Sequence, residues 1–478
     1  MKNNHNRFSS FVLKAGQFAP IIYFILVYVP YFVGADKTLM YWLSLSTFAA
    51  IYRIVVSMLF VIFVVVYMFV RKEKYQLSIF ISFFLYAVFF AVGAFIVPQT
   101  ISQTFYIDYN KVIVESTLHI GLEDRIVGLF NTIFDLFFAF YLIFFGKSMF
   151  TKKSLLYLME AVLLISVVEC ALTFVMDRGD YALLLSGSFS NIYSINISGT
   201  FQSKNGLGMF LFQGILAACY VLAVERKKYI RVMTYISASL ILLVLLVSLC
   251  KTSFVVSALT FVSYVLIAGF KDKKTRKLTI ILTISALALA GLAVGIAFVP
   301  VVREKLHLDS IINQLNQSIV NTLDDRMRIW AESTFLFKSP YLFFGYSKEC
   351  SSLILRLIDG TLNSSLFHNG FLCVLANFGL IGLMSYLCLL YYAIRQIFTK
   401  MGKHYSQIKL MVFITFISAI AYSMFESIYI IASGSAIVML QNFVIIIVPF
   451  LYEDELKEGG HAEDEKKSIS FNRASISI

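Results

Sequence analysis

Long apolar runs alternate with short polar and basic segments along almost the whole chain. A helix that crosses a bilayer needs about 20 mainly apolar residues, and twelve runs meet this requirement. They lie near 18–35, 50–70, 76–97, 126–146, 154–175, 205–224, 232–250, 252–270, 278–300, 370–394, 410–431 and 434–452. The pattern predicts an all-α, polytopic integral membrane protein with about twelve transmembrane helices.

Lysine and arginine concentrate in alternate connections between these runs, and in both terminal segments. Cytoplasmic loops of membrane proteins carry such an excess of positive charge. We therefore expect both termini to be cytoplasmic. Residues 453–478 are rich in Glu, Lys and Ser, a composition that predicts a disordered cytoplasmic tail.

The largest segment expected on the outer side is 301–369, which separates spans 1–9 (1–300) from spans 10–12 (370–452). It holds seven basic and seven acidic residues, so it is not a simple basic tether. Apolar residues recur at helical spacing from Ile311 to Leu323, and a second helix is expected from Arg326 to Phe337. We expect a folded, helical extracytoplasmic loop.

Composition supports this class: 59% of the residues are hydrophobic and only 14% are charged. The net charge of +12 is explained by topology, and we expect no nucleic-acid partner. Six cysteines without a CxxC spacing indicate neither a disulfide framework nor a zinc site. We expect no metal and no cofactor.

Two polar clusters in the 301–369 segment and at its end are candidates for chemistry. His368 and Asn369 precede a long apolar run, where a histidine can act as a general base; interfacial snorkelling or helix capping is the alternative, and position alone favours it. Arg326 and Arg328 stand beside Trp330 and could grip a phosphate. Salt bridges within the segment are the alternative for the arginines.

Further candidates lie at the ends of predicted spans. Lys251 separates two apolar runs without a Gly or Pro turn signal, so it either faces an outer cavity or is solvated at a hairpin tip. Lys204 and Asn205 open a span and could host an anion, although a plain loop-to-helix entry also explains them. Ionisable residues within spans are functional candidates by default, with mutual pairing as the alternative: Arg53, Asp135, Glu160, Glu169 and Glu426.

Four stretches, taken in order, resemble the superfamily of O-antigen ligases and O-antigen polymerases, which are bacterial membrane glycosyltransferases. They are GTFQSKNGLGMF (199–210), SLCKTSFVVSAL (248–259), DRMRIWAESTFLFKSPYLFFGYS (325–347) and FHNGFLCVLANFGLIGLMSYL (367–387). The resemblance covers about 190–390 and the twelve-span topology. Its most specific part is His368-Asn369 followed by an apolar helix with Gly379 and Gly382.

The resemblance implies a protein of the bacterial inner membrane that transfers a glycan from undecaprenyl pyrophosphate to an acceptor hydroxyl, with inversion and without a metal. His368 would orient or deprotonate the hydroxyl, and Arg326 would stabilise the leaving pyrophosphate. Lys251 stands where the family often has Arg, which keeps the charge but weakens a bidentate contact. Arg328, Lys204, Asn205 and Asn369 would contact the pyrophosphate or glycan.

Three functions remain open. The first is polymerisation of lipid-linked repeat units into O-antigen, capsule or exopolysaccharide, alongside a flippase and a chain-length regulator of the same pathway. The second is ligation of the finished glycan to an acceptor such as lipid A core. The third is a flippase or transporter, which usually places polar residues at the midplane within internal repeats. Here the polar candidates gather at the outer face, and no internal repeat is evident.

Overall fold

The structure of the chain is a computed structural model. It describes residues 2–33, 150–185, 196–272, 323–346, 367–400, 405–428 and 440–453 with few internal gaps. It also describes 100–107, 112–119 and scattered positions within 55–70, 121–126 and 276–281, together with 320 and 351.

Six of the described helices are long and apolar enough to cross a membrane. They are α2 (Lys152–Met176), α4 (Lys204–Val224), α5 (Lys228–Val247), α6 (Lys251–Lys271), α8 (Gly370–Lys400) and α9 (Gln407–Phe425). Helix α1 spans Lys2–Val33, α3 spans Arg178–Leu185 and α7 spans Phe335–Lys338. A π-helix at Phe443–Ile447 leads into α10 (Val448–Leu451).

These helices confirm a helical membrane protein, and six of the twelve predicted spans coincide with them. The predictions for 18–35, 50–70, 76–97, 126–146, 278–300 and 434–452 lie wholly or partly outside the described residues, as do most of the 301–369 segment and the predicted tail at 454–478.

The described part of the chain also contains one pair of strands, in the segment before Arg125. Strands β1 (Thr100–Ile107) and β2 (Val112–His119) form an antiparallel hairpin, with Thr100 opposite His119 and Ile107 opposite Val112. Both strands are rich in β-branched residues, which favour extended backbone. The sequence between them, Asp-Tyr-Asn-Lys, carries residue types that favour a turn.

Helix α4 is the centre of the described bundle. It packs against α2, α5, α6 and α9, and 83% of its most apolar 18-residue window is buried. A helix that is apolar on all sides suits this position. Glycines allow its neighbours to approach closely: a Cβ at Gly208 would overlap Ser253, and one at Gly214 would lie 2.5 Å from Ser166 Oγ.

Hydrogen bonds between polar side chains join α6 to α9. The hydroxyls of Ser253 and Tyr422 lie 2.6 Å apart, and Thr260 donates to Ser418 Oγ at 2.7 Å. These contacts fix the start of α6 beside the end of α9. The N-termini of α4, α6 and α8 therefore meet the C-terminus of α9 at one end of the bundle.

Helix α8 is interrupted at Gly379, where φ is 67° and ψ is −169°. Residues 341–346 fill the interruption: Leu380 N donates to Leu342 O at 2.7 Å, and Tyr346 N donates to Ala376 O at 2.8 Å. Backbone groups that a broken helix leaves unpaired must find such partners inside a membrane protein. The end of the 323–346 region is thereby anchored in the bundle.

The predicted helix from Arg326 to Phe337 is divided in two. Residues 323–331 are helical, a turn follows at Ser333 and Thr334, and α7 begins at Phe335. Ser333 Oγ donates to Ile329 O at 2.7 Å. Ser333 N keeps the regular bond to Ile329 O at 2.9 Å, whereas Thr334 N donates to Ala331 O at 3.1 Å, so the regular helical pattern ends after Ser333.

Candidate functional site

A carboxylate at the end of α9 joins the two residues with the strongest sequence signal. Glu426 Oε1 accepts a hydrogen bond from Arg326 Nη2 at 2.9 Å, and Glu426 Oε2 lies 3.4 Å from His368 Nδ1. The Glu426 side chain is only 5% exposed, that of Arg326 11% and that of His368 19%. The three side chains form a buried cluster, with the carboxylate between two basic groups.

The local backbone turns the His368 side chain toward Glu426. His368 has a φ of 46°, and its amide donates to Ser427 Oγ at 2.8 Å. Positive φ is uncommon for a residue other than glycine and often marks a functional position. Residue 370 must be glycine, because a Cβ there would overlap the carbonyl of Ile428. The segment that follows α9 and the residues at the start of α8 thus pack directly against each other, through Ser427 and Ile428.

Asn369 has the capping role that was one of its two sequence interpretations. Its Oδ1 accepts hydrogen bonds from Phe371 N and Leu372 N at 3.0 and 3.1 Å, and its Nδ2 donates to Met424 O at 3.3 Å. An Asn that accepts from the first helical amides stabilises the helix start. His368, by contrast, is directed at a carboxylate rather than at the helix.

Arg326 reaches the bundle from the helical stretch 323–331. Its Nη2 also donates to Thr252 Oγ1 on α6 at 3.2 Å. Trp330 fastens the same stretch, since its Nε1 donates to Phe367 O at 3.1 Å and its ring lies near Phe425. The guanidinium thus pairs with Glu426, 100 residues along the chain.

Arg328 is half-buried in the same helical stretch. Two helical residues that are two positions apart point in roughly opposite directions. The side chains of Arg326 and Arg328 therefore lie on different faces of the helix, whereas binding one phosphate together would require them to share a face. The structure brings Arg326, and not this pair, to Glu426 and His368.

Two lysines flank the cluster at helix starts. Lys251 is the first residue of α6 and Lys204 the first of α4. Lys251 lies within electrostatic range of both Lys204 and Arg326. Asn205 joins the two helices, because its Oδ1 lies 3.8 Å from Cys250 Sγ. Helix N-termini carry a partial positive charge, so this end of the bundle concentrates cations and helix dipoles.

Cys250 lies in the turn between α5 and α6 and is 4% exposed. Burial raises the pKa of its thiol to about 11, and nearby Glu426 acts in the same direction. The thiol accordingly stays protonated near neutral pH. It is a packing residue between Asn205 and Ser253.

The other acidic candidates lie elsewhere. Glu160 is half-buried and within electrostatic range of Glu225 and Lys227, beyond the far end of α4. Glu169 is fully buried and hydrogen-bonded to Thr200. Arg53 and Asp135 are outside the described residues. Among the acidic candidates that the structure describes, Glu426 is the one that contacts Arg326 and His368.

The sequence pattern did not indicate how Glu426, Thr252 and Ser427 contribute to the site. It placed Glu426 within a span, whereas α9 ends at Phe425 and Glu426 caps it. It gave no role to Thr252 or Ser427, which hold Arg326 and the His368 backbone. One chemical argument could have suggested the pair of Glu426 and Arg326. A carboxylate near the end of a span needs a cationic partner, and Arg326 was a candidate.

The arrangement suits an anionic ligand. Arg326 pairs with Glu426, and Lys251 lies within electrostatic range of both Arg326 and Lys204. Among the residues that the structure describes, no three His, Cys, Asp or Glu side chains lie close enough together to hold a metal ion. Guanidinium and ammonium groups and helix N-termini can all bind phosphate oxygens.

Comparison with protein-family models and with curated proteins finds no match to this chain.

Proposed function

We propose that this chain is a membrane glycosyltransferase that polymerises undecaprenyl-pyrophosphate-linked oligosaccharide repeat units into a surface polysaccharide. The product would be an O-antigen, capsule or exopolysaccharide, made at the outer face of the bacterial inner membrane. The observation that carries the proposal is the placement of His368 and Arg326 on opposite oxygens of Glu426, beside Lys251 and Lys204.

In this proposal His368 is the general base. Its Nδ1 faces Glu426, so Nε2 is the nitrogen that takes the proton of the acceptor hydroxyl. Glu426 orients the ring and stabilises the imidazolium that forms, as a carboxylate does for a histidine base in other acyl and group transfers. The hydroxyl oxygen attacks the anomeric carbon of the donor from the face opposite the pyrophosphate.

The leaving group departs on the cationic side of the site. The bond between the anomeric carbon and the pyrophosphate oxygen breaks, its electron pair stays on the pyrophosphate, and the configuration at carbon inverts. Arg326, Lys251 and Lys204 stabilise the charge that develops there. Arginine has five N–H donors, and the contacts to Glu426 and Thr252 use those on Nη2. Pyrophosphate is a good leaving group, so we propose that these cations replace a divalent metal.

The transporter alternative fits the site less well. Transporters with broken helices direct free helix N-termini at an anionic substrate. In α8 the first amides after the break, at Leu380 and Ile381, already donate to Leu342 O and Phe343 O. The interruption is filled by protein, and the cations gather instead where the helices begin.

The test is the size and attachment of surface glycan in cells that lack the gene and receive it back as wild type or as a variant. We expect His368→Ala and Arg326→Ala to accumulate single repeat units without long chains. Arg178→Ala is the matched control, because Arg178 is an exposed arginine outside the site. Long chains that persist on the lipid carrier but never reach a final acceptor would identify a ligase. Unchanged glycan in both site variants, with normal protein levels, would refute both enzymatic functions.

A further inference from the structure

Two buried carboxylates on the α2 side hold the loop that leads into α4. Asp177 Oδ2 accepts hydrogen bonds from Ser198 N at 2.9 Å and Gly199 N at 2.6 Å. Glu169 Oε1 accepts one from Thr200 N at 2.8 Å, and the Thr200 hydroxyl lies 2.9 Å from both Glu169 oxygens. The donors of three consecutive residues are thus satisfied by two acids.

These acids lie deep in the bundle. Glu169 is 0% exposed and Asp177 4%. Glu169 is seven residues before the end of α2 at Met176, which corresponds to about 10 Å along a helix. The loop therefore descends beside α2 before α4 begins. Buried backbone amides need acceptors, and for Ser198, Gly199 and Thr200 the acceptors are carboxylates.

Gly199 makes the close approach possible. Its φ is +56°, and a Cβ would lie 2.5 Å from Glu169 Oε1 and 2.9 Å from Thr173 Cγ2. Beyond it, Phe201 is buried against Phe210 with ring centroids 5.5 Å apart. Ser203 then caps α4 by accepting from Gly206 N at 3.2 Å. Each contact fixes the chain immediately before Lys204.

The same helix start is fixed from the other side by α6, through Gly208 packed on Ser253 and Asn205 near Cys250. We propose that Glu169 and Asp177 are positioning residues for the donor pyrophosphate: through the loop 198–200 they place the Lys204 ammonium beside Lys251. This inference rests on the proposed function, because it assumes that Lys204 and Lys251 receive a pyrophosphate.

The test is a double-mutant cycle on ligand binding. The full-length chain is purified in detergent, and the dissociation constant for farnesyl pyrophosphate, a short isoprenoid pyrophosphate, is measured by calorimetry. Thr200→Val removes the hydroxyl that Glu169 accepts, while Thr200→Ser retains it. Each change is made in the wild type and in Lys204→Ala, since a residue that acts only through Lys204 has no effect once Lys204 is gone.

We expect Lys204→Ala to weaken binding about tenfold, as the loss of one charge-assisted contact does. Thr200→Val should weaken it several-fold in the wild type and leave it unchanged in Lys204→Ala, and Thr200→Ser should bind as the wild type does. Gly199→Ala should behave like Thr200→Val. Gly179→Ala is its matched control, because a Cβ at Gly179 meets no atom within 4 Å.

The outcomes separate this inference from the proposed function. If wild type binds the probe but Thr200→Val weakens binding equally with and without Lys204, the positioning role is wrong and the proposed function stands. If wild type does not bind the probe while the protein is folded, the pyrophosphate site itself is wrong. If Gly199→Ala does not fold, the Thr200 pair of variants decides.

Discussion

The ion pair between Arg326 and Glu426 gives a quantitative prediction about the site. Glu426→Gln removes the charge that lies 2.9 Å from the guanidinium and leaves Arg326 near Lys251 without a compensating anion. Because the two side chains are 11% and 5% exposed, the pair is largely excluded from water. Removing one partner of such a buried pair costs about 3–5 kcal/mol.

The double variant Arg326→Gln/Glu426→Gln is expected to lose less than the two single variants together. Two neutral amides can hydrogen-bond and leave no uncompensated charge, so the coupling energy between the two positions should be about 2 kcal/mol or more. The assay is equilibrium unfolding of the purified chain in mixed detergent micelles. It is carried out on wild type, both single variants and the double variant.

A second ion pair in the same chain is the control. Lys400 Nζ lies 3.1 Å from a Glu453 oxygen, but the side chains are 31% and 14% exposed. More exposed pairs contribute about 0.2–1 kcal/mol, so the cycle Lys400→Gln/Glu453→Gln should give a clearly smaller coupling. Equal couplings in the two cycles would refute the conclusion that Arg326 is docked on Glu426 in a buried site.

Two further predictions concern residues around the site. Gly379→Ala should destabilise the chain in the same unfolding assay by at least about 1–3 kcal/mol. The reason is that the φ and ψ of Gly379 are restricted to glycine and that a Cβ would lie 2.5 Å from Phe344 N. Gly179→Ala should have no such effect, and equal stability of the two variants would contradict the conclusion that residues 341–346 fill the interruption of α8. Alkylation of Cys250 by N-ethylmaleimide, followed by mass spectrometry, should be slow at pH 7 and accelerate continuously up to pH 10, because burial raises the thiol pKa to about 11 and the thiolate is the reactive form. A rate that levels off near pH 9 would show an ordinary, accessible thiol.

The helices of the bundle were predictable because their signal is local. Each of the six apolar helices is a continuous run in the sequence, and its length alone satisfies the requirement for a span. The interruption of α8 was not predictable in the same way. The apolar pattern continues through Gly379, and the break is stabilised by residues 341–346, more than thirty positions earlier in the chain.

The residues of the candidate site stood out in the sequence, but their pairing did not. His368, Lys251 and Lys204 stood out at the ends of predicted spans, and Arg326 stood out beside Trp330 in the 301–369 segment. The partner of His368 and Arg326 is Glu426, which is 58 positions from His368 and 100 from Arg326. No local pattern encodes contacts between residues that are so far apart. The β1–β2 hairpin was missed for a different reason, since two strands of eight residues carry a weak signal among long apolar helices.

The central claim is that His368 and Arg326 transfer a glycan without a metal, and reconstitution tests it most directly. The purified chain is placed in lipid vesicles with an undecaprenyl-pyrophosphate-linked oligosaccharide and excess chelator, and the released undecaprenyl pyrophosphate is measured together with glycan length. We expect wild type to form longer glycans in chelator and His368→Ala to slow the transfer at least about a hundredfold, as the loss of a general base does. Transfer at the wild-type rate by His368→Ala, or activity that disappears in chelator and returns with Mg²⁺, would contradict the central claim.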